Sequence, residues 1–394
     1  MDKIFLEAAE LLECLNQNGF EAYFVGGSVR DNLLQKPIHD VDIATSALPD
    51  ETMELFEHTI PVGIEHGTVI VRHKGKSYEV TTFRKEEDYQ DFRRPSAVSF
   101  ISSIEEDLAR RDFTINAIAM DKTGTLVDPF NGREDLKKGI IRTVRKPQDR
   151  FKEDPLRIMR AIRFVSQLSF ELESSTRKAF EDYAPFLKEI AVERISVEFQ
   201  KMMTGPSVKN AIRLLLESEL HQYLPGLKTK KAGLEKLLKL DMDYLVEDKE
   251  HWGILTYVTA ENPLEFLKRW KQPSKLIKEV DSILSGVKVV LEDGWSAAEL
   301  YNYSASYRSI ERIAAVITGR KPIHATLEQR IELLPILKRN EIAVNGNDIL
   351  KWSRKKPGPW VGEFFEQLEK EILNGTIKNE KNDIKRWLEW WQLQ

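Results

Sequence analysis

Period-2 alternation of apolar residues runs through the first 145 or so positions and then stops. Up to there, "EAYFV", "IHDVDIA", "GTVIVRH" and "SYEVTTF" read as strands among helices, the last two joined by "KGK" as a hairpin. After "RTVRKP", segments such as "PLRIMRAIRFVSQL", "VKNAIRLLLESEL" and "ELLPILKRN" carry the 3.6-residue period instead. Those periods call for a small sheet with helices followed by an all-helical remainder, punctuated by "YLPGL", "ENPLEF", "KQPSK" and "KKPGPWVG". At 394 residues the chain exceeds what one core usually covers, so two or more domains are expected.

The strand "PIHDVDIA" (37–44) carries an anomaly. Asp40 and Asp42 are two residues apart and face one side, while Val41 and Ile43 face the other. Adjacent carboxylates repel and resist desolvation unless a cation lies between them or one is protonated. A divalent metal satisfies both; an exposed edge strand whose acids face water is the alternative.

The lone Cys14 sits among Phe5, Ala8, Leu11, Leu12 and Leu15 at helical spacing, which predicts a core role. With no disulfide framework, no leader and no apolar run of membrane length, a cytoplasmic protein is expected. The net charge of −4 does not advertise nucleic acid. Between Arg142 and Arg163, however, eight Lys/Arg stand against three acids, a candidate phosphate site or simply a solvated helix face.

Upstream of the aspartates, "EAYFVGGSVRDNLLQ" reads as strand, glycine turn and helix, with Ser28 and Asp31 in capping-box spacing. Gly26 and Gly27 would let backbone N–H groups approach an anion, and Arg30 adds a charged donor. In "SYEVTTF", Glu79 is a third acid on a strand expected beside that of Asp40 and Asp42. Three carboxylates next to a phosphate-binding turn fit two-metal phosphoryl transfer, although Glu79 suits an exposed edge equally well. A second DxD, Asp241 and Asp243, reads as helical, where the pair would diverge, and receives no role. His39 is the first histidine in the chain, which excludes the H…HD…D phosphohydrolases, and neither a P-loop nor a zinc cluster is present.

Taken in order, "GGSVRDNLL", "HDVDIAT", "RRDFTINAIAMD", "DPFNGREDLKKGIIRTV" and "EDPLRIMRAIRF" resemble the class II tRNA nucleotidyltransferase and bacterial poly(A) polymerase family over residues 20–170. The tail "PGPWVGEFFEQLEKEILNGTIKN" is similar to that of bacterial CCA-adding enzymes. The resemblance implies an α+β, polymerase-β-like head (1–145) followed by helical neck (146–225), body (226–320) and tRNA-binding tail (321–394). It implies template-independent addition of CCA to the tRNA 3′ end from CTP and ATP, with two Mg²⁺ on Asp40 and Asp42 and catalytic roles for Glu79 and Glu153. Poly(A) polymerase, partial CC or A addition, and a non-catalytic RNA-binding scaffold remain as alternatives. Oligomeric state stays open, a homodimer included.

In "EDPLRIMRAIR", Glu153 and Asp154 precede Pro155 at an expected helix start. Arg157, Arg160 and Arg163 then recur every three residues, a slanting stripe stepping about −60°. Asp154 only accepts hydrogen bonds and Arg157 only donates. The pair therefore matches the Watson–Crick edges of cytosine (N4, N3) and adenine (N6, N1), whereas uracil and guanine would leave groups unpaired. In "LARRDFTINAIAM", Asp112 suits the N-cap of a helix; the family parallel gives Arg111 to the nucleotide and scaffold or sugar contacts to Asp112 and Asn116. The stretch "RKEEDYQDFRRPSAV" (84–98) reads as a long charged loop, for which the resemblance implies a mobile lever.

Overall fold

A computed structural model describes residues 2–90 and 94–393, with the side chains of 2–85 and 99–393. The chain forms two units, Met1–Leu234 with Arg269–Lys271, and Glu235–Lys268 with Gln272–Gln394. The expected boundaries at 145 and 320 fall inside these units, and the one at 225 falls nine residues before a break between them.

The first unit begins with helix α1 (Lys3–Gln17), which buries Phe5, Ala8, Leu11, Leu12 and Leu15 as its spacing requires, while Cys14 is only partly buried. Strands β1 (Ala22–Val25), β2 (Asp42–Thr45), β3 (Thr59–Pro61), β4 (Thr68–His73) and β5 (Lys76–Thr82) follow, with α2 (Gly27–Leu33) after β1 and α3 (Pro49–Leu55) after β2. Strands β6 (Arg84–Gln90) and β7 (Arg94–Phe100) lead to α4 (Ile104–Ala109), then to β8 (Ala119–Met120), β9 (Leu126–Val127) and α5 (Gly132–Lys138). The main sheet runs β3-β4-β5-β2-β1-β8-β9. The β4–β5 hairpin is as expected, its turn made by Lys74 and Gly75, both at positive φ.

Three local expectations change. Residues 84–90 and 94–100 are not a loop: β6 and β7 pair antiparallel as a separate two-stranded hairpin; residues 91–93 lie outside the described residues. Ser28 does not cap α2: its hydroxyl donates to the Val25 carbonyl at 3.0 Å, Gly26 is the N-cap, and Asp31 is taken by Arg30. "FTINAIA" is not a helix but one 3₁₀ turn, Thr114–Asn116, after which the chain enters β8.

Helices α6 (Pro147–Glu153), α7 (Leu156–Leu168), α8 (Ser174–Tyr183), α9 (Val192–Met203) and α10 (Val208–Glu217) complete this unit. Glu153 therefore ends α6 instead of opening α7, and Asp154 and Pro155 form the joint between them. Helices α7 and α9 pack closely, and the Ser166 hydroxyl donates to the Met202 carbonyl at 2.6 Å.

The second unit is helical throughout its described residues. Asp241 and Asp243 lie in a turn beyond helix Lys231–Leu237, where the Asp243 N–H meets the Asp241 side chain at 3.3 Å, so the helical reading of this DxD does not hold. Buried Glu250 accepts from Ser309 at 2.7 Å and Arg312 at 2.8 Å. Toward the C-terminus, Phe364, Leu368, Ile372, Ile384 and Leu388 form a core with Trp387 and Trp391 packed on it. No helix among the described residues is long and apolar enough to cross a membrane.

The α7–α9 contact generates a test. A Cβ on Gly205 would lie 2.3 Å from the Ser166 Oγ and 2.7 Å from its backbone carbon. Gly205→Ala must push α7 off the α9–α10 turn, an overpacking cost of about 1–3 kcal/mol. It should appear as a lowered urea midpoint in far-UV circular dichroism.

Candidate active site

Sheet register assembles the first part of the site. β1 pairs antiparallel with β2 so that Val25 faces Asp42, and β2 pairs in parallel with β5 so that Asp42 faces Glu79. The residue after Val25 is Gly26, with φ +74° and ψ −139°. A Cβ there would sit 3.3 Å from both the Arg111 Nη1 and the Asp42 Oδ2, so the chain needs glycine for its backbone angle and for the approach of these two groups. Asp40 lies two residues before β2, exposed and outside the regular strand.

A cavity of about 620 Å³ opens here. Of the sequence candidates it is lined by Gly26, Gly27, Arg30, Asp40, Asp42, Arg111, Asn116, Arg160 and Arg163. Glu79, Asp112, Glu153, Asp154 and Arg157 do not line it. Sequence reasoning missed Phe164, Gln167 and Lys201 from α7 and α9, which do. Nothing in the sequence sets Phe164 apart from the apolar residues around it, or Lys201 from other surface lysines.

Four cavity guanidinium groups are held by carboxylates. Arg30 forks onto Asp31 at 2.8 and 2.9 Å and donates to the Asn116 Oδ1 at 2.8 Å. The Asn116 amide donates to Asp112 at 3.1 Å, and the Arg160 Nε reaches the other Asp112 oxygen at 2.7 Å. Glu198 on α9 stands 3.2 Å from Arg163 and 3.7 Å from Arg160. Arg111 pairs with buried Asp107 at 3.2 Å. The Phe164 ring lies under three of the four, with Arg163 4.3 Å, Arg30 5.3 Å and Arg160 5.8 Å from its centroid.

Ionisation follows from these contacts. Burial resists the charge on Asp112, but Arg160, Asn116 and the Phe113 N–H outweigh it and hold the carboxyl well below its ordinary range. Arg160 is raised by Asp112 against its own desolvation. Burial lowers Arg163, partly offset by Glu198. Asp42 shifts the other way: burial and then the neighbouring Glu79 charge push it up, Asp40 adds to this, and only Arg111 opposes.

Asp40, Asp42 and Glu79 accept no hydrogen bond among the described residues, and the charges of the other two act against that of Asp42. This is the donor chemistry of a hard cation site. No three His, Cys, Asp or Glu side chains among the described residues converge to enclose a metal by themselves, however. The pair Asp40–Asp42 thus fits an open site completed by a ligand's oxygens, and Glu79 is a neighbour outside the cavity.

The base-reading candidates are engaged elsewhere. Arg157 is buried, donates to Glu153 at 2.5 Å and to the Arg150 carbonyl at 3.0 Å, and reaches the Arg110 carbonyl at 3.4 Å. Buried Arg150 joins this cluster through Glu153 and the Arg111 carbonyl, at 3.0 and 2.9 Å. Asp154 accepts from Arg194 on α9 at 2.7 Å. Neither Arg194 nor Glu198 was singled out from sequence. Their one visible signal is i, i+4 spacing on a helix whose partner was unknown.

A short mixed sheet carrying a glycine turn and two cavity-facing aspartates, followed by a helix whose arginines line the same cavity, defines a polymerase-type nucleotidyltransferase. Residues 22–142 match the family profile of the poly A polymerase head domain, residues 169–231 that of the RNA- and SrmB-binding site of polymerase A, and residues 245–388 that of tRNA nucleotidyltransferase domain 2. The CCA-adding enzyme of Geobacillus stearothermophilus is 46% identical over 98% of this chain and 96% of its own, and that of Anoxybacillus flavithermus 49% identical over 98% and 97%. The crystal structure of the Bacillus stearothermophilus CCA-adding enzyme in complex with CTP superposes with a TM-score of 0.93 at 44% identity, covering 100% of this chain and 98% of that one. The chain belongs to the CCA-adding enzyme family of tRNA nucleotidyltransferases, enzymes that generally use divalent metal ions.

The Asp112–Arg160 pair yields a pH test. The folded carboxyl is depressed, so its contribution to stability is complete above the unfolded value of about 3.9 and is lost as pH falls below it. Asp112→Asn should cost about 2–3 kcal/mol at pH 7, less than a fully buried pair because Arg160 is one-third exposed. The urea midpoints of variant and wild type should approach one another as pH falls below about 4.

Proposed function

We propose that this protein adds CCA to the 3′ end of tRNA, without a nucleic-acid template, from CTP and ATP. The observation that carries the reading is the cavity in which Asp40 and Asp42 face the Gly26–Gly27 turn and four tethered arginines. It has both halves of a nucleotidyl-transfer site, open carboxylates for a cation and fixed positive charge for a triphosphate. The full-length relatives support the choice of CCA over a poly(A) product.

Asp40 and Asp42 would hold Mg²⁺, which when bound lowers the pKa of the attacking hydroxyl and neutralises triphosphate charge. The RNA 3′ oxygen forms a bond to the α-phosphorus as the bond to the bridging oxygen breaks, and pyrophosphate leaves. Gly27 offers backbone N–H at the start of α2. Arg30, Arg111, Arg160 and Arg163 orient the phosphates, and Asp31, Asp107, Asp112 and Glu198 hold those arginines against rotation. Asp112 and Asn116 thus serve as scaffold, and Glu153 positions Arg157. The Asp154–Arg157 pair reads the base: carboxylate toward the exocyclic amino group, guanidinium toward the ring nitrogen of cytosine or adenine.

Asp40→Ala or Asp42→Ala should abolish incorporation of labelled CTP into tRNA lacking its CCA end, with tRNA affinity within a few fold of wild type. Near wild-type turnover in either variant would sink the cation assignment. The hairpin β6–β7 is assigned to the switch from C to A, because one Asp–Arg pair accepts both bases and a purine needs more room. Deletion of residues 86–94 should leave CC addition intact and stop the terminal A. Sequencing of the RNA product decides it: full CCA from the deletion variant contradicts the assignment.

A further inference from the structure

Helix α9 presents Arg194, Glu198 and Lys201 at i, i+4 and i+7, on one face toward α7. Glu198 serves the phosphate-binding arginines and Lys201 lines the cavity, so this face is built around the nucleotide site. Arg194 reaches Asp154 instead. That residue sits in the joint between α6 and α7, in extended conformation (φ −144°, ψ 99°), where no helix backbone fixes its side chain. Two contacts do so: Oδ2 accepts from the Arg194 Nη2 at 2.7 Å, and Oδ1 from the Leu156 N–H at 3.1 Å.

A carboxylate offers about four acceptor directions. With one on each oxygen committed, the remaining two are fixed in space. The other Arg194 terminal nitrogen, Nη1, is buried with no hydrogen-bond partner among the described residues. A buried charged donor left unpaired is costly, so this arginine is a poor choice for stability alone.

We infer that Arg194 is a positioning residue for base selection: it holds Asp154 in the orientation that accepts the amino group of cytosine or adenine. Resting on the Asp154–Arg157 reading, the inference adds the residue on which its accuracy depends. Without Arg194 the carboxylate can rotate and admit a water molecule. Water donates both to the carboxylate and to a carbonyl, so it would bridge the mismatch that uracil or guanine presents. Selectivity should fall more than catalysis.

The test uses the full-length enzyme with tRNA lacking CCA, measuring kcat/KM for CTP and UTP separately, together with KM for tRNA and the melting temperature. In Arg194→Ala the CTP:UTP preference should fall about tenfold, the scale of one charged hydrogen bond, with KM for tRNA unchanged. Arg194→Lys, which keeps the charge, should recover part of the preference and serves in place of Arg194→Ala if that variant folds poorly. In the Asp154→Ala background, Arg194→Ala should cause no further loss, because it acts through the carboxylate. Wild-type preference in both Arg194 variants, or an equal additional loss in the Asp154→Ala background, overturns the inference. If Asp154→Ala and Arg157→Ala also leave the preference intact, the base-reading pair itself is wrong, a result distinct from failure of Arg194 alone.

Discussion

Asp112 joins the sheet to the helix that follows it. One of its oxygens accepts from Asn116 and the Phe113 N–H, the other from Arg160 on α7. Through Asn116 the same chain of contacts reaches Arg30 on α2, and through Arg160 it reaches Glu198 on α9. The glycine turn, the arginine stripe and the supporting face of α9 are thus referenced to one buried carboxylate. Burying it costs free energy that its partners more than offset, as the depressed ionisation of Asp112 indicates. Arg30 at one end and Arg160 and Arg163 beside Glu198 at the other line the cavity, so the ion pair fixes where positive charge stands relative to Asp40 and Asp42.

The same logic explains why so many acids surround a site for an anionic substrate. A bare cluster of arginines would repel itself and sample many rotamers, losing on binding what it gained in attraction. Pairing each guanidinium with Asp31, Asp107, Asp112 or Glu198 lowers the net field but fixes direction. Because each guanidinium carries five donors, a carboxylate on one side leaves others for phosphate. Electrostatic stabilisation then needs little rearrangement when the substrate arrives. Asp40 and Asp42 are treated oppositely: their oxygens have no hydrogen-bond partner among the described residues, and Asp42 is pushed toward protonation. The four cavity arginines each have a carboxylate beside them, while Asp40 and Asp42 have none of the complementary donors.

Much of this was legible in sequence where chemistry and local period coincide. Two acids two residues apart in an apolar run, after a glycine turn, are anomalous enough to mark a site without any knowledge of topology. That the Glu79 strand lies beside the strand of Asp42 was also expected; its parallel sense and the register that sets Glu79 opposite Asp42 were not, and that acid stays outside the cavity. Capping failed at Ser28 because the competing acceptor, the Val25 carbonyl, becomes available only once the turn has folded. The 84–98 stretch was misread because its sequence, dense in charge, lacks the apolar alternation by which strands are recognised. Arg194 and Glu198 could not be found, since the value of a residue on α9 depends on which face meets α7, and that is settled by buried contacts such as Phe199 on Trp270.

If Arg157 reads the base as proposed, its being paired already is no obstacle. In this structure its guanidinium is committed to Glu153 and to backbone carbonyls, all acceptors. A ring nitrogen with a free lone pair, as in cytosine or adenine, is one more acceptor, and exchanging one for another costs little because the donor is never left bare. A uracil or guanine N–H is a donor, and exchange with it would strip the guanidinium of a partner in a buried setting, at a cost on the order of 1–3 kcal/mol or more. The engaged state therefore adds to the discrimination: a correct base replaces a contact, while a wrong one has to compete with contacts better than its own. Glu153, at the last turn of α6, sets how firmly those contacts are held. The joint at Asp154–Pro155 separates α6 from α7, and Arg150 before it and Arg157 after it both reach the Arg110 carbonyl, so both sides of the joint are tied to the same turn of chain.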